Sequence, residues 1–176
     1  ARKVTEEIAK IRGIPVGQAS ISPNGHRDIR TPEDLLNMIN RIRNVTGKPV
    51  GFKVVLGEIT WLEKLLDIVL EHGEEVAPDF ITVDSADGGS GAAPQPLLDY
   101  VGLTLKESLP MLVDMLTERG LKHRIKIVAS GKLIVPSKVA WALATGADFV
   151  TSARGFMFSL GCIQAMQCNK DTCPTG

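Results

Sequence analysis

Four short runs rich in β-branched and aromatic residues, at 50–56, 79–84, 125–129 and 148–152, alternate with segments whose apolar residues recur at helical spacing. That alternation is the strongest constraint on the fold. Strand, helix and strand in succession predict right-handed βαβ units and a parallel sheet. The run Val50-Gly51-Phe52-Lys53-Val54-Val55-Leu56 carries one charge and no polar alternation, so it is expected to be a strand covered on both faces. The intervening helices are signalled just as locally. Thr31-Pro32-Glu33-Asp34 combines a hydroxyl cap, proline at the first helical position and carboxylates in the first turn. Trp61, Leu62, Leu65, Leu66, Val69 and Leu70 share a face that closes near His72-Gly73, and His72 suits a helix C-terminus. A third helix is expected from about Thr104 to Arg119, with Pro110 kinking it or delaying its start, and a fourth opens at Pro136-Ser137 and ends at Gly146.

Four such units fit half of a (β/α)8 barrel or a small doubly wound sheet. A complete barrel takes roughly 250 residues, so the 176 residues are expected to form its C-terminal half over 1–160, with 161–176 a cysteine-rich, cluster-binding segment of the same domain. The strand ends would then share the face where barrel enzymes work. They carry Asp84 to Gly91, with Asp87, Gly88 and Gly89, then Ser130-Gly131-Lys132, and Ala153-Arg154-Gly155. Loops after the last two strands of a barrel commonly hold a phosphate, which predicts one at the amides around Gly131 and 153–155. Three glycines among 88–91 would let a planar or anionic group lie close to the backbone. Lys53 must either snorkel to solvent or meet an anion, because an unpaired buried ammonium is costly. Residues 1–30 read as a helical turn or two followed by a long irregular segment, in which His26 and Asp28 are weaker candidates for substrate contact.

Lysine plus arginine and aspartate plus glutamate each number 20, so no net field favours nucleic acid or an acidic membrane. No apolar run approaches the roughly 20 residues of a membrane span. The three cysteines all follow Gly161, as Cys162-x5-Cys168-x4-Cys173-Pro174. Such clustering argues for a metal centre in a reducing compartment, and a cytoplasmic location is expected. Soft thiolates at this spacing suit zinc, copper or an iron-sulfur cluster. Three ligands and a closing Cys-Pro fit a three-iron cluster better than structural zinc, which usually takes four.

Asp-Gly-Gly-Ser-Gly-Ala-Ala-Pro at 87–94, Phe-Lys-Val-Val at 52–55, Ile-Ser-Pro at 21–23 with His26 and Asp28, and Gly-Cys-x5-Cys-x4-Cys-Pro-x-Gly at 161–176 together resemble the synthase domain of glutamate synthase. The likeness is to its archaeal-type or glutamate synthase-related branch. It implies a (β/α)8 barrel holding FMN and a 3Fe-4S cluster, an oxidoreductase acting on CH-NH2 donors in which 2-oxoglutarate and ammonia, or an amine, yield L-glutamate. It further implies Lys53 at flavin and substrate, Gly88 and Gly89 beside the flavin, and Gly131, Ala153 and Arg154 in the phosphate loops. Cys162, Cys168 and Cys173 would be the cluster ligands. Asp84 is added as a catalytic candidate, and Asp87 and Ser130 as cofactor contacts. The chain departs from the plant and bacterial Ser-Gly-His-Asp-Gly-Gly at Asp84-Ser85-Ala86, and Ser130 stands where those enzymes usually carry aspartate. Expected partners are the remainder of the barrel, an electron donor such as ferredoxin or an NAD(P)H-oxidising subunit, and a separate amidotransferase. An FMN barrel acting on another substrate, such as a 2-hydroxy acid, and a non-catalytic electron-transfer subunit are the other readings.

Overall fold

The computed structural model describes residues 4–21, 25–87, 101–168 and 170–175. The elements run α1 (Glu6–Arg12), α2 (Pro32–Thr46), β1 (Gly51–Val55), α3 (Thr60–His72), β2 (Phe80–Asp84), α4 (Leu105–Glu118), β3 (Lys126–Ser130), α5 (Pro136–Thr145), β4 (Phe149–Thr151) and α6 (Ala153–Ser159). The local signals explain most of these boundaries. Thr31 caps α2 by accepting the Asp34 amide at 3.2 Å, and the Asp34 carboxylate accepts the Thr31 amide at 3.1 Å in return. Thr104 and Glu107 build the same reciprocal box at the start of α4, which therefore begins at Leu105 and carries Pro110 inside it, not delayed by it.

The four strands form one parallel sheet in the order β1-β2-β3-β4. A doubly wound sheet reverses its order at a switch point, and none occurs among the described strands. With sequential right-handed crossovers the helices collect on one face. There Ile81, Val83, Ile127 and Ala129 join Leu36, Leu62, Leu66, Leu109, Leu112 and Ala142 in a single core, with Phe52, Val54 and Val150 packed against it. This arrangement is compatible with part of a barrel.

The opposite face corrects the expectation that β1 is covered on both sides. Lys53 and Val55 alternate with the half-buried Phe52 and Val54, Val55 is 44% exposed, and Phe149 on the same face as Lys53 is 61% exposed. Among the described residues only the other face is packed against helices, so the missing polar alternation does not report cover on both sides.

The amino ends of the strands are fastened by two carboxylates playing the same part. Asp79, just before β2, accepts the Val50 amide at 2.7 Å and pairs with Arg43 at 2.9 Å and Arg124 at 3.0 Å. Asp148, just before β4, accepts the Ile127 amide at 2.8 Å and pairs with Lys122 at 2.7 Å. Burial pushes both carboxyl groups up, but the amide and cation partners outweigh it and hold each below the ordinary aspartate range. A lowered folded-state pKa contributes stability above the unfolded value and loses it as pH falls through the folded one. Stability is therefore expected to be flat above about pH 5 and to fall progressively below it. Asp79→Ala should cost about 1–3 kcal/mol at neutral pH and flatten that acid limb, measured as urea midpoints between acidic and neutral pH. An acid limb unchanged in the variant would remove Asp79 from the account.

Candidate active site at the carboxyl ends of the strands

By register, Val55, Asp84, Ser130 and Thr151 form one row at the carboxyl end of the uncovered face, with Lys53 and Thr82 in the row below. The β3 loop, the start of α6 and the cysteine segment stand around the same end. Together they enclose a cavity of about 380 Å³, inside the range of small-molecule sites. Lys53, Asp84, Ser130, Gly131, Ala153 and Arg154 line it. So do Cys162, Cys168 and Cys173.

The charges are specific. Lys53 Nζ lies 2.5 Å from Asp84 Oδ2, with the lysine side chain 61% exposed. Lys53 is thus neither buried nor snorkelling alone; it is held at the mouth of the cavity by a carboxylate of the neighbouring strand. Asp84 Oδ1 accepts the Ser85 amide at 2.9 Å, so both carboxylate oxygens are engaged. Asp87 lies 4.0 Å from Lys132 and faces the adjoining groove toward Lys106 and Lys138, beside the cavity instead of within it.

Gly131 has φ of +114°, and a Cβ there would stand 2.8 Å from the Ser85 nitrogen and closer still to the Ser85 Cβ. The ends of β2 and β3 therefore touch backbone to backbone, and only glycine fits between them. Gly131→Ala is expected to cost about 2–5 kcal/mol, adding a left-handed backbone penalty to an overpacked contact. Denaturant midpoints check this; an alanine variant as stable as the parent would contradict it.

The structure also supplies what sequence reasoning missed. Residues 153–155, expected as a loop, open helix α6, whose seven residues are too short to show a period. Ser152 Oγ donates to the Leu133 carbonyl, and Gly155 sits where a Cβ would be 3.0 Å from the Ile134 carbonyl oxygen, so the β3 and β4 loops are locked together. Lys132 adopts φ of 47° directly after Gly131, and Gln164 and Met166 adopt 55° and 56° between the first two cysteines. Met157, Phe158 and Ile163 give the cavity an apolar wall. The backbone turns at 164 and 166 carry no residue-type signal that a sequence reading registers.

The residues present fit the two groups unequally. Three small residues and one cation, at Ser130, Gly131, Ala153 and Arg154, suit a phosphate-bearing planar cofactor. The three thiols face one cavity, and thiolate is the right donor for iron. Among the described residues, however, no three histidine, cysteine, aspartate or glutamate side chains are gathered closely enough to hold a metal ion. Gly88 and Gly89 lie outside the described residues. Of the weaker candidates, His26 accepts the Asp28 amide through Nδ1 at 3.1 Å in an exposed local turn, and neither residue lines the cavity. Among the described residues no helix is long and apolar enough to cross a membrane.

The conserved region described in glutamate synthase matches residues 1–176 of this chain. A glutamate synthase large subunit-like protein of Bacillus subtilis, YerD, is 45% identical over 174 residues, which cover 99% of this chain and 33% of that protein. The archaeal-type glutamate synthase (NADPH) of Thermotoga maritima is 34% identical over 176 residues, 99% of this chain and 34% of that protein. The glutamate synthase (NADPH) large chain of Azospirillum brasilense is 29% identical over 174 residues, 99% of this chain and 11% of that protein. The chain spans about a third of the length of the first two of these relatives.

Proposed function

This chain belongs to the glutamate synthase family, an oxidoreductase family, and we propose that it forms the part of such an enzyme where FMN and a 3Fe-4S cluster meet and where 2-oxoglutarate is reductively aminated to L-glutamate. The observation that carries this reading is the convergence of Lys53, Asp84, Ser130, Gly131, Ala153, Arg154 and the three cysteines on one cavity. Residues 1–160 are read as the C-terminal half of a (β/α)8 barrel, and the face bearing Val55 and Phe149 would turn toward the remainder of that barrel. Residues 161–176 would hold the cluster through Cys162, Cys168 and Cys173.

When bound, FMN supplies the hydride and the cluster relays single electrons to it. Overall, keto acid, ammonia, two electrons and two protons give amino acid and water. Within that balance the chain's own residues have separable tasks. Gly131, with Ser130, Ala153 and Arg154, would hold the phosphate and the ring. Gly88, Gly89 and Asp87 would border the ring from the β2 side. Lys53 would place positive charge against a substrate carboxylate or the reduced ring, and Asp84 fixes the direction of its ammonium. The electrons would come from ferredoxin or an NAD(P)H-oxidising subunit, and ammonia from solution or a separate amidotransferase. An amine is the other nucleophile of the same chemical class.

The full-length protein, reduced anaerobically with an artificial donor and given 2-oxoglutarate and ammonium, should form one glutamate for each two electrons consumed. Reoxidation by a 2-hydroxy acid's keto product, with no glutamate formed, would overturn the reading in favour of a different FMN barrel enzyme.

A further inference from the structure

We propose that Ser85 is a positioning residue whose single hydroxyl joins the turn after β2, at Asp87, to the start of α4, at Leu105, and so fixes Asp87 beside the cavity while its backbone amide fixes Asp84 within it. Ser85 is 5% exposed, at the first position beyond β2. Its Oγ accepts the Asp87 amide at 3.0 Å and the Leu105 amide at 3.2 Å. The first bond is the ordinary local turn of a serine. The second is not local: it reaches 20 residues along the chain to a buried amide in the first turn of α4, one that the helix itself cannot satisfy.

Four further contacts, made by the backbone around Ser85 and not by its hydroxyl, meet at the same place. The Ala86 amide donates to the Leu103 carbonyl at 3.0 Å, and the Leu103 amide to the Leu56 carbonyl at 2.6 Å, so the returning chain is seated between the ends of β1 and β2. The Ser85 amide holds Asp84 Oδ1, which leaves Oδ2 for Lys53. Gly131 packs on the Ser85 backbone from β3. The ends of β2 and β3 thus meet at Ser85, and Lys53 of β1 is tied to the same place through Asp84.

The inference rests on the cavity being the FMN and substrate site, and its test separates the two. Backbone amide exchange of the full-length protein, without flavin, should show the Leu105 and Asp87 amides protected in the parent and exchanging about tenfold faster or more in Ser85→Ala, with α2 and α3 unchanged. FMN, titrated by fluorescence, should bind Ser85→Ala about tenfold more weakly, and kcat should fall more than KM for 2-oxoglutarate rises. Faster exchange with unchanged FMN affinity and turnover would overturn positioning and leave a structural role. Unprotected Leu105 and Asp87 amides in the parent would overturn the junction even if the variant failed to fold. A parent that binds no FMN would sink the proposed function and with it the positioning role, whereas amide exchange would still decide whether the Ser85 hydroxyl joins β2 to α4.

Discussion

Replacing Lys53 with methionine should lower the reductive amination of 2-oxoglutarate by roughly two orders of magnitude or more, the loss expected for one preorganised donor. Methionine keeps most of the aliphatic length and removes the charge. The fold should survive, because the lysine side chain is 61% exposed and an ion pair so placed contributes little stability. Asp84 would retain the Ser85 amide as partner, so the strand end should hold its shape. FMN affinity should fall only modestly, since its phosphate contacts are assigned to other residues. Lys53→Arg keeps the charge but spreads it over a planar fork, and it should recover only part of the rate. Steady-state rates with one artificial electron donor decide the matter. Unchanged turnover would make the pair with Asp84 a surface contact and move the active site elsewhere.

Cys168→Ser should abolish the cluster. A hydroxyl is a poor ligand for iron that thiolates bind well, and a set of three has no spare donor. Anaerobically purified parent should carry about three irons per chain with a broad brown absorbance, and the variant should lack both. FMN should remain, because Ser130, Gly131, Ala153 and Arg154 are untouched. The three thiols line one cavity without yet forming a ligand set, so the segment 162–173 is expected to tighten around the metal, as coupled folding and binding requires. Zinc at the same cysteines would refute the assignment.

The elements proved legible where the signal is local. The expected strands at 50–56, 79–84, 125–129 and 148–152 differ from β1 to β4 by one residue at most ends, and Thr31 and Pro32 open α2 as their chemistry dictates. Legibility fails where a residue's surroundings come from elsewhere. The unbroken apolar run around Lys53 predicts a strand covered on both sides, whereas Val55 and Phe149 stand on an uncovered face. The lysine's partner, Asp84, is 31 positions away, and only the parallel register of β1 and β2 brings the two together. Ser85 was legible as a departure from a motif but not as a junction, because its second bond depends on where α4 starts. The cysteine spacing can be read without any fold; its three thiols line one cavity, but no metal-holding group of side chains is gathered among the described residues.

On the proposed reading one cavity would serve both a flavin and an iron-sulfur cluster. The most direct measurement is the absorbance spectrum of full-length protein prepared without oxygen, with flavin and iron quantified on the same sample. One FMN and about three irons per chain are expected, with flavin bands on a broad brown background that bleaches on reduction. Flavin without iron, iron without flavin, or zinc alone would contradict it.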